Sequence, residues 1–284
     1  MDMNYLLVIV ALIYVFFAML VDIKKREVPD WLSYSLIMLG FGVRGIYSLY
    51  KLDYWIFLYG IIGGLVGFGI GMLMYYTRQW GGGDSKLMIG LGVIFGTYLE
   101  INFLSPYLGM PFLLILIVNI LFFGGIYTVV YSIILMIKNY DLIRKNINKK
   151  YFKMFLVIFT IFTFANILFY FFNWFLFINF FIIFGSLMFL VIFIYLAKII
   201  EKFVFVKKIT VNKLVEGDIL YEDVVLDGRI ICKKGGLGLE KGDILLLKKN
   251  VKEVIVKDGI PFVPGFFIGL IFSLFYGNLF NFLF

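Results

Sequence analysis

Long apolar stretches dominate the chain, and short polar or glycine-containing segments separate them. A bilayer core of about 30 Å requires about 20 apolar residues in helical conformation. Eight stretches reach this length, so the pattern predicts an α-helical polytopic membrane protein. The predicted spans are residues 4–21, 31–50, 54–76, 87–104, 110–137, 151–172, 174–198 and 262–284.

Residues 199–261 have a different pattern, in which short runs of alternating polar and apolar residues lie between Gly and Asp turns. The runs are KITV, DVVL, RIIC, ILLL and KEVIV. They predict a small cytoplasmic β-rich domain before the last helix. Gly-Asp-Ile-Leu occurs twice, from Gly217 and from Gly242, and predicts two similar β-turns, with a duplicated functional loop as the alternative.

The predicted organisation therefore has five parts. They are a five-helix membrane core at 1–137, a basic cytoplasmic loop at 138–150, an additional membrane hairpin at 151–198, the β-rich domain at 199–261 and a last helix at 262–284.

Composition and charge agree with a membrane location. Apolar residues make up 63% of the chain and charged residues 15%, whereas soluble domains have about 45–50% and about 25%. With the N-terminus outside, Lys and Arg lie in inner segments or at inner helix ends, except for Arg44 and Lys51. The net charge of +8 then favours anionic lipid headgroups of the cell membrane, and no nucleic-acid partner is expected.

The absence of two residue types restricts the chemistry. The sequence has no histidine, which excludes Ser–His nucleophiles and HExxH zinc sites. The single cysteine, Cys232, excludes an intrachain disulfide and a CxxC site. No metal or cofactor is expected, and carboxylates are the candidates for catalysis.

Two carboxylates are predicted to lie at the inner membrane surface beside apolar helices. Asp22 ends the first span, and Asp84 precedes the fourth in GGGDSKLMIG. The alternating topology puts both at the same face and at similar depth. Two carboxyl groups in contact share a proton, so that one can activate water while the other polarises a scissile carbonyl. The pattern thus predicts aspartic proteolysis with Asp22 and Asp84 as the catalytic pair.

Several neighbours are candidates for supporting roles. Gly81, Gly82 and Gly83 allow close approach of a substrate strand or a helix, and place Asp84 near a helix N-terminus. Lys86 either pairs with a carboxylate or simply marks the inner face. An Asp in this position is also a common helix cap, which is the alternative to catalysis.

These motifs resemble those of the prepilin and preflagellin peptidases, which are GxGD-type membrane aspartic proteases. Gly81-Gly82-Gly83-Asp84 fits the GxGD motif, and Asp22 with IKKREVPDWL fits the first motif of the family. The likeness is strongest over residues 5–100 and favours the archaeal branch, because the chain starts directly in a helix and a β segment precedes the last helix. Pro29 also predicts the start of the second helix on local grounds.

The resemblance implies an endopeptidase that removes short basic leaders from type IV pilin-like or archaellin precursors at the cytoplasmic face. Peripheral residues expected to contact a basic leader are Glu27, Asp30 and Gln79. Archaeal members are expected to have about six spans, so the Phe-rich hairpin at 151–198 is interpreted as an insertion.

Three other interpretations remain open at this stage. An ion- or proton-coupled transporter would use Asp22 and Asp84 as titrating ligands. A presenilin-like enzyme would need a Tyr-Asp before the GxGD motif, but Tyr140-Asp141 follows it. An inactive pilus-assembly scaffold would retain the aspartates only as helix caps.

Overall fold

The computed structural model describes residues 3–96, 111–146, 157–158, 160–161, 164, 195, 198–226, 229–236, 238–257 and 259–277. The first half is helical: α1 (Met3–Lys25), α2 (Asp30–Lys51), α3 (Trp55–Tyr76), α4 (Gly82–Phe95), α5 (Phe112–Lys138) and the short α6 (Tyr140–Asn146). The second half contains β1 (Val206–Thr210), β2 (Ile219–Leu220), β3 (Val224–Leu226), β4 (Arg229–Cys232), α7 (Lys241–Asn250), β5 (Glu253–Lys257) and α8 (Val263–Tyr276).

Among the described residues, four helices are long and apolar enough to cross a membrane, namely α1, α2, α3 and α5, and α8 is a shorter apolar helix. The predicted helical membrane class is therefore supported, but the count of eight spans is not confirmed. Helix α4 ends at Phe95, earlier than the predicted end at residue 104, and residues 97–110 lie outside the described part. Most of the predicted hairpin at 151–198 and residues 278–284 also lie outside it.

Helices α3 and α4 pack main chain against main chain along a seam of glycines. A Cβ added to Gly63 would lie 2.1 Å from the carbonyl oxygen of Gly92, and one on Gly67 would lie 2.6 Å from that of Met88. Small residues at four-residue spacing allow this approach between membrane helices. The seam fixes α4 directly on α3, and thereby fixes the end of α4 that carries Asp84.

Arg44, predicted as one of two charges towards the outer side, is completely buried within α2. Its guanidinium donates to the carbonyl oxygens of Val93 and Ile94, at 2.7 Å each, and to that of Ile56 at 3.0 Å. Val93 and Ile94 belong to the last turn of α4, where carbonyls lack helical partners. Arg44 therefore links α2, α3 and the C-terminal end of α4.

The predicted β-rich region is present near the C-terminus. A three-stranded antiparallel sheet has the order β1-β5-β2, and β3 pairs with β4 in a separate hairpin. Strand β1 pairs with β5 from Val206 opposite Lys257 to Thr210 opposite Glu253. The small core contains Val211, Leu220, Cys232, Leu247, Val254 and Val256.

One predicted strand and one predicted turn in this region are wrong. ILLL at 244–247 lies in helix α7, whereas the first Gly-Asp-Ile-Leu forms a turn at Gly217, with φ of 96°, followed by β2. The second copy is helical because Glu240 caps α7, and its main-chain N–H donates to Asp243 Oδ2 at 3.1 Å. Ile244 and Leu247, three residues apart, then share the buried helix face.

Candidate active site

Asp22 lies in the last turn of α1 and is only 3% exposed. Its Oδ2 accepts a hydrogen bond of 2.9 Å from the main-chain N–H of Val263, the first residue of α8. Main-chain donors at a helix start stabilise an anion, so α8 supplies the partners that a buried carboxylate requires.

Asp84 is the third residue of α4, and its side chain folds back towards the helix start. Its Oδ2 accepts a hydrogen bond of 3.0 Å from the main-chain N–H of Gly81, the extended N-cap residue. This contact is a capping interaction, so the cap that the sequence offered as an alternative is present. Asp84 as a whole residue is half-buried, at the exposed end of α4 beside Gly81 and Gly82.

The two aspartates lie at helix ends, Asp22 in the last turn of α1 and Asp84 in the first turn of α4. Helix α1 packs against α4 and, more extensively, against α8. Three segments far apart in sequence thus meet at this point. Each carboxyl group is held by a main-chain donor, Val263 for Asp22 and Gly81 for Asp84, so both carboxyl groups have fixed positions at this point.

The three glycines before Asp84 have different surroundings. A Cβ on Gly83 would lie 2.9 Å from the Cβ and from the carbonyl oxygen of Val28, so α4 begins directly against the α1–α2 connection. Gly81 and Gly82 are exposed, and a Cβ there would meet other atoms only at 3.5 Å and 3.8 Å. Close packing within the chain therefore requires only Gly83 of the three.

Lys86 forms an ion pair with Asp30 at 2.6 Å and lies over the Tyr34 ring, 5.4 Å from its centroid. The structure thus connects Lys86, predicted as a supporting residue, with Asp30, predicted as a leader contact. Pro29 is the N-cap of α2, so the predicted helix start is confirmed. Ser85, the residue after Asp84, donates a hydrogen bond of 2.9 Å from its Oγ to the carbonyl oxygen of Gly71, which connects α4 to α3.

The other two predicted leader contacts, Glu27 and Gln79, are exposed in the α1–α2 and α3–α4 connections. Although the residue is exposed, partial loss of water around the Glu27 carboxyl raises its pKa. The charge of Asp218 raises this pKa further, and the charge of Lys25 lowers it. Asp218 precedes β2, so the α1–α2 connection lies close to the β-rich region.

The sequence interpretation did not identify the residues of the last helix that contact the site. Trp80 packs against Phe262 and Phe266, with ring centroids 5.7 Å and 4.9 Å apart. Val263 supplies the hydrogen bond to Asp22. The available signal was Pro264, which is typical of a helix start and marks where free main-chain donors occur.

The fold and the site define a helical membrane protein with two aspartates at helix ends, Asp22 at the end of α1 and Asp84 at the start of α4. Residues 9–129 match the type IV leader peptidase family, and this region contains both Asp22 and Asp84. The predicted resemblance to the prepilin and preflagellin peptidases is confirmed over these residues.

Three archaeal relatives share this part of the chain. A preflagellin peptidase of Methanocaldococcus jannaschii is 30% identical over 122 residues, which are 41% of this chain and 52% of the relative. A prepilin peptidase of Methanothermobacter thermautotrophicus is 36% identical over 87 residues, 31% of this chain and 23% of the relative. A preflagellin peptidase of Methanococcus maripaludis is 30% identical over 103 residues, 32% of this chain and 44% of the relative. The matches span about half the length of the first relative and less of the other two.

Proposed function

We propose that this protein is a membrane aspartic endopeptidase that removes short basic leaders from pilin-like or archaellin precursors. The observation that carries the proposal is the pair of Asp22 and Asp84, which lie at the ends of two helices that pack against each other, inside the region similar to leader peptidases. The names of the relatives, prepilin and preflagellin peptidase, support the substrate class.

The proposed mechanism needs only the two carboxyl groups and a water molecule. The ionised carboxylate accepts a proton from water, whose oxygen forms a bond to the carbonyl carbon of the scissile peptide. The protonated carboxyl group donates to the carbonyl oxygen and stabilises the tetrahedral intermediate. When the C–N bond breaks, the leaving amine takes a proton from a carboxyl group, which restores the single proton shared by the pair.

The proposed orientation has the N-terminus outside and the pair at the cytoplasmic face, as the distribution of Lys and Arg favours. A precursor helix in the membrane would then present its leader to the exposed Gly81–Gly82 stretch beside Asp84. Glu27 and Gln79 lie in the α1–α2 and α3–α4 connections and Asp30 begins α2; the negative charges of Glu27 and Asp30 suit a basic leader.

Replacing each aspartate by asparagine tests the proposal. Asp22→Asn and Asp84→Asn keep the side-chain size but remove the titrating group, so neither variant can transfer the proton. We expect each change to abolish cleavage of a precursor with a basic leader in reconstituted vesicles, while the amount of inserted protein stays at the wild-type level. Mass spectrometry of the precursor reports the cut.

Two results would overturn the proposal. Cleavage by both asparagine variants would remove the pair from the chemistry. A wild-type protein that cuts no such precursor would leave transport through the same carboxylates as the next hypothesis, measured as proton uptake into the same vesicles.

A further inference from the structure

We propose that the start of the last helix, residues 262–265, is a positioning element of the catalytic centre. In this arrangement the main-chain N–H of Val263 holds the Asp22 carboxylate, and the Phe262 ring holds that N–H in place. The inference rests on the proposed function. It concerns residues outside 9–129, the region that matches the peptidase family.

The contact between Val263 and Asp22 joins positions 241 residues apart in sequence. Asp22 lies near the C-terminal end of α1, where the helix dipole disfavours a negative charge. The N-terminal end of α8 has the opposite polarity and offers free N–H groups. The orientation of the Asp22 carboxylate therefore depends on where α8 begins.

The Phe262 ring is held on two sides. Trp80, which directly precedes the GGGD motif, packs against it with ring centroids 5.7 Å apart. On the other side the ring lies over Gly124 of α5, where an added Cβ would be only 2.2 Å from Phe262 Cζ. The ring is thus wedged between the segment that carries Asp84 and the fifth helix, next to the donor for Asp22.

Two further contacts fix α8 along α5. A Cβ on Gly265 would lie 2.4 Å from the Cα of Gly124, so the two main chains meet at this level. Near the other end of α8, Asn119 Nδ2 donates to Ser273 Oγ at 2.9 Å and to the carbonyl oxygen of Gly277 at 2.8 Å. Helix α5 therefore sets the position of α8, and through it the position of the Val263 donor.

The chain offers a matched pair of substitutions that tests this arrangement. Gly124→Ala places a methyl group where the Phe262 ring now lies, which displaces Phe262 and the adjoining Val263 N–H. Gly125→Ala makes the same change at the neighbouring position on α5, where an added Cβ meets nothing within 4 Å. Both variants would be reconstituted in vesicles with a precursor of basic leader and apolar helix, and kcat and KM measured for each.

We expect Gly124→Ala to lower kcat by roughly 10- to 100-fold with little change in KM, because a misplaced catalytic group costs rate rather than substrate binding. Gly125→Ala should keep both constants at the wild-type values. Adding Phe262→Leu to Gly124→Ala removes the overlap and should restore part of kcat. If Gly124→Ala lowers kcat only because it disturbs packing in general, its thermal unfolding temperature should fall, and adding Phe262→Leu should not restore kcat.

The inference is overturned if folded Gly124→Ala cleaves with the wild-type kcat. If Gly124→Ala does not accumulate, Phe262→Leu alone decides the question, because it removes the contact with Trp80 and should itself lower kcat. An unchanged kcat in Phe262→Leu then overturns the inference. In all these cases cleavage by wild type and Gly125→Ala shows that the proposed function stands, whereas no cleavage by either defeats the proposed function itself.

Discussion

Lys86 Nζ lies 2.6 Å from Asp30 Oδ1, and this ion pair joins α4, which carries Asp84, to the start of α2. Asp30 is the first residue of α2, and Lys86 lies in the second turn of α4, two residues after Asp84. Both side chains are partly exposed, at 60% and 32%, so the pair contributes only about 0–1 kcal/mol to stability. Its role is therefore more in orientation than in stability.

The two partners of this pair should differ in their effect on substrate binding. If Asp30 also contacts a basic leader, Asp30→Asn raises KM for a basic leader more than for a neutral one, whereas Lys86→Gln changes both equally. The measurement is cleavage of two precursors that differ only in leader charge. Identical effects of the two variants on both precursors would show that Asp30 acts only through Lys86.

Gly83→Ala should destabilise the protein, whereas Gly82→Ala should not. A methyl group on Gly83 overlaps Val28 at 2.9 Å, and overpacking of this kind costs about 1–3 kcal/mol. A methyl group on Gly82 lies 3.8 Å from Tyr75, an ordinary contact. Thermal unfolding in detergent measures the difference in stability. Equal stability of the two variants would show that Val28 can move aside without destabilising the fold.

Gly63→Ala should prevent correct packing of α3 against α4. The new methyl group would lie 2.1 Å from the Gly92 carbonyl oxygen, a contact between main chains that no side-chain rotation relieves. Gly69→Ala on the same helix is the control, since its Cβ meets nothing within 4 Å and alanine favours a helix by up to about 1 kcal/mol. The yield of folded protein and the cleavage activity are measured. If Gly63→Ala matches the wild type in both, the close packing of α3 against α4 at Gly63 is refuted.

Glu27→Gln should stabilise the protein at neutral pH but not at acidic pH. The pKa of Glu27 is raised by partial loss of water around its carboxyl group and by the charge of Asp218, so the folded state binds the proton more tightly than the unfolded state does. The wild type therefore loses stability as the pH rises from the ordinary value of 4.5 through the raised value, and the neutral variant does not. Thermal unfolding of both proteins from about pH 4 to pH 7 measures this. The prediction is contradicted if the difference in stability between Glu27→Gln and the wild type stays constant over this range, or becomes smaller as the pH rises.

Local patterns in the sequence were sufficient to predict several features of the fold and of the candidate site. The length of the apolar runs predicted four long helices, because membrane thickness fixes that length. In the structure they are α1, α2, α3 and α5. The absence of histidine directed attention to Asp22 and Asp84, and their positions at helix ends followed from the same runs. These inferences needed only neighbouring residues.

The tertiary structure decided the contacts between distant segments. The hydrogen-bond donor to Asp22 is the main-chain N–H of Val263. The buried guanidinium of Arg44 depends on the carbonyl oxygen of Val93, 49 residues further along the chain in the last turn of α4. The two copies of Gly-Asp-Ile-Leu fold differently because one follows a turn at Gly217 and the other follows a helix cap at Glu240. Periodicity carries no information about main-chain donors from elsewhere in the chain. For this reason the sequence could predict the two carboxylates as candidates but not the main-chain groups that hold them.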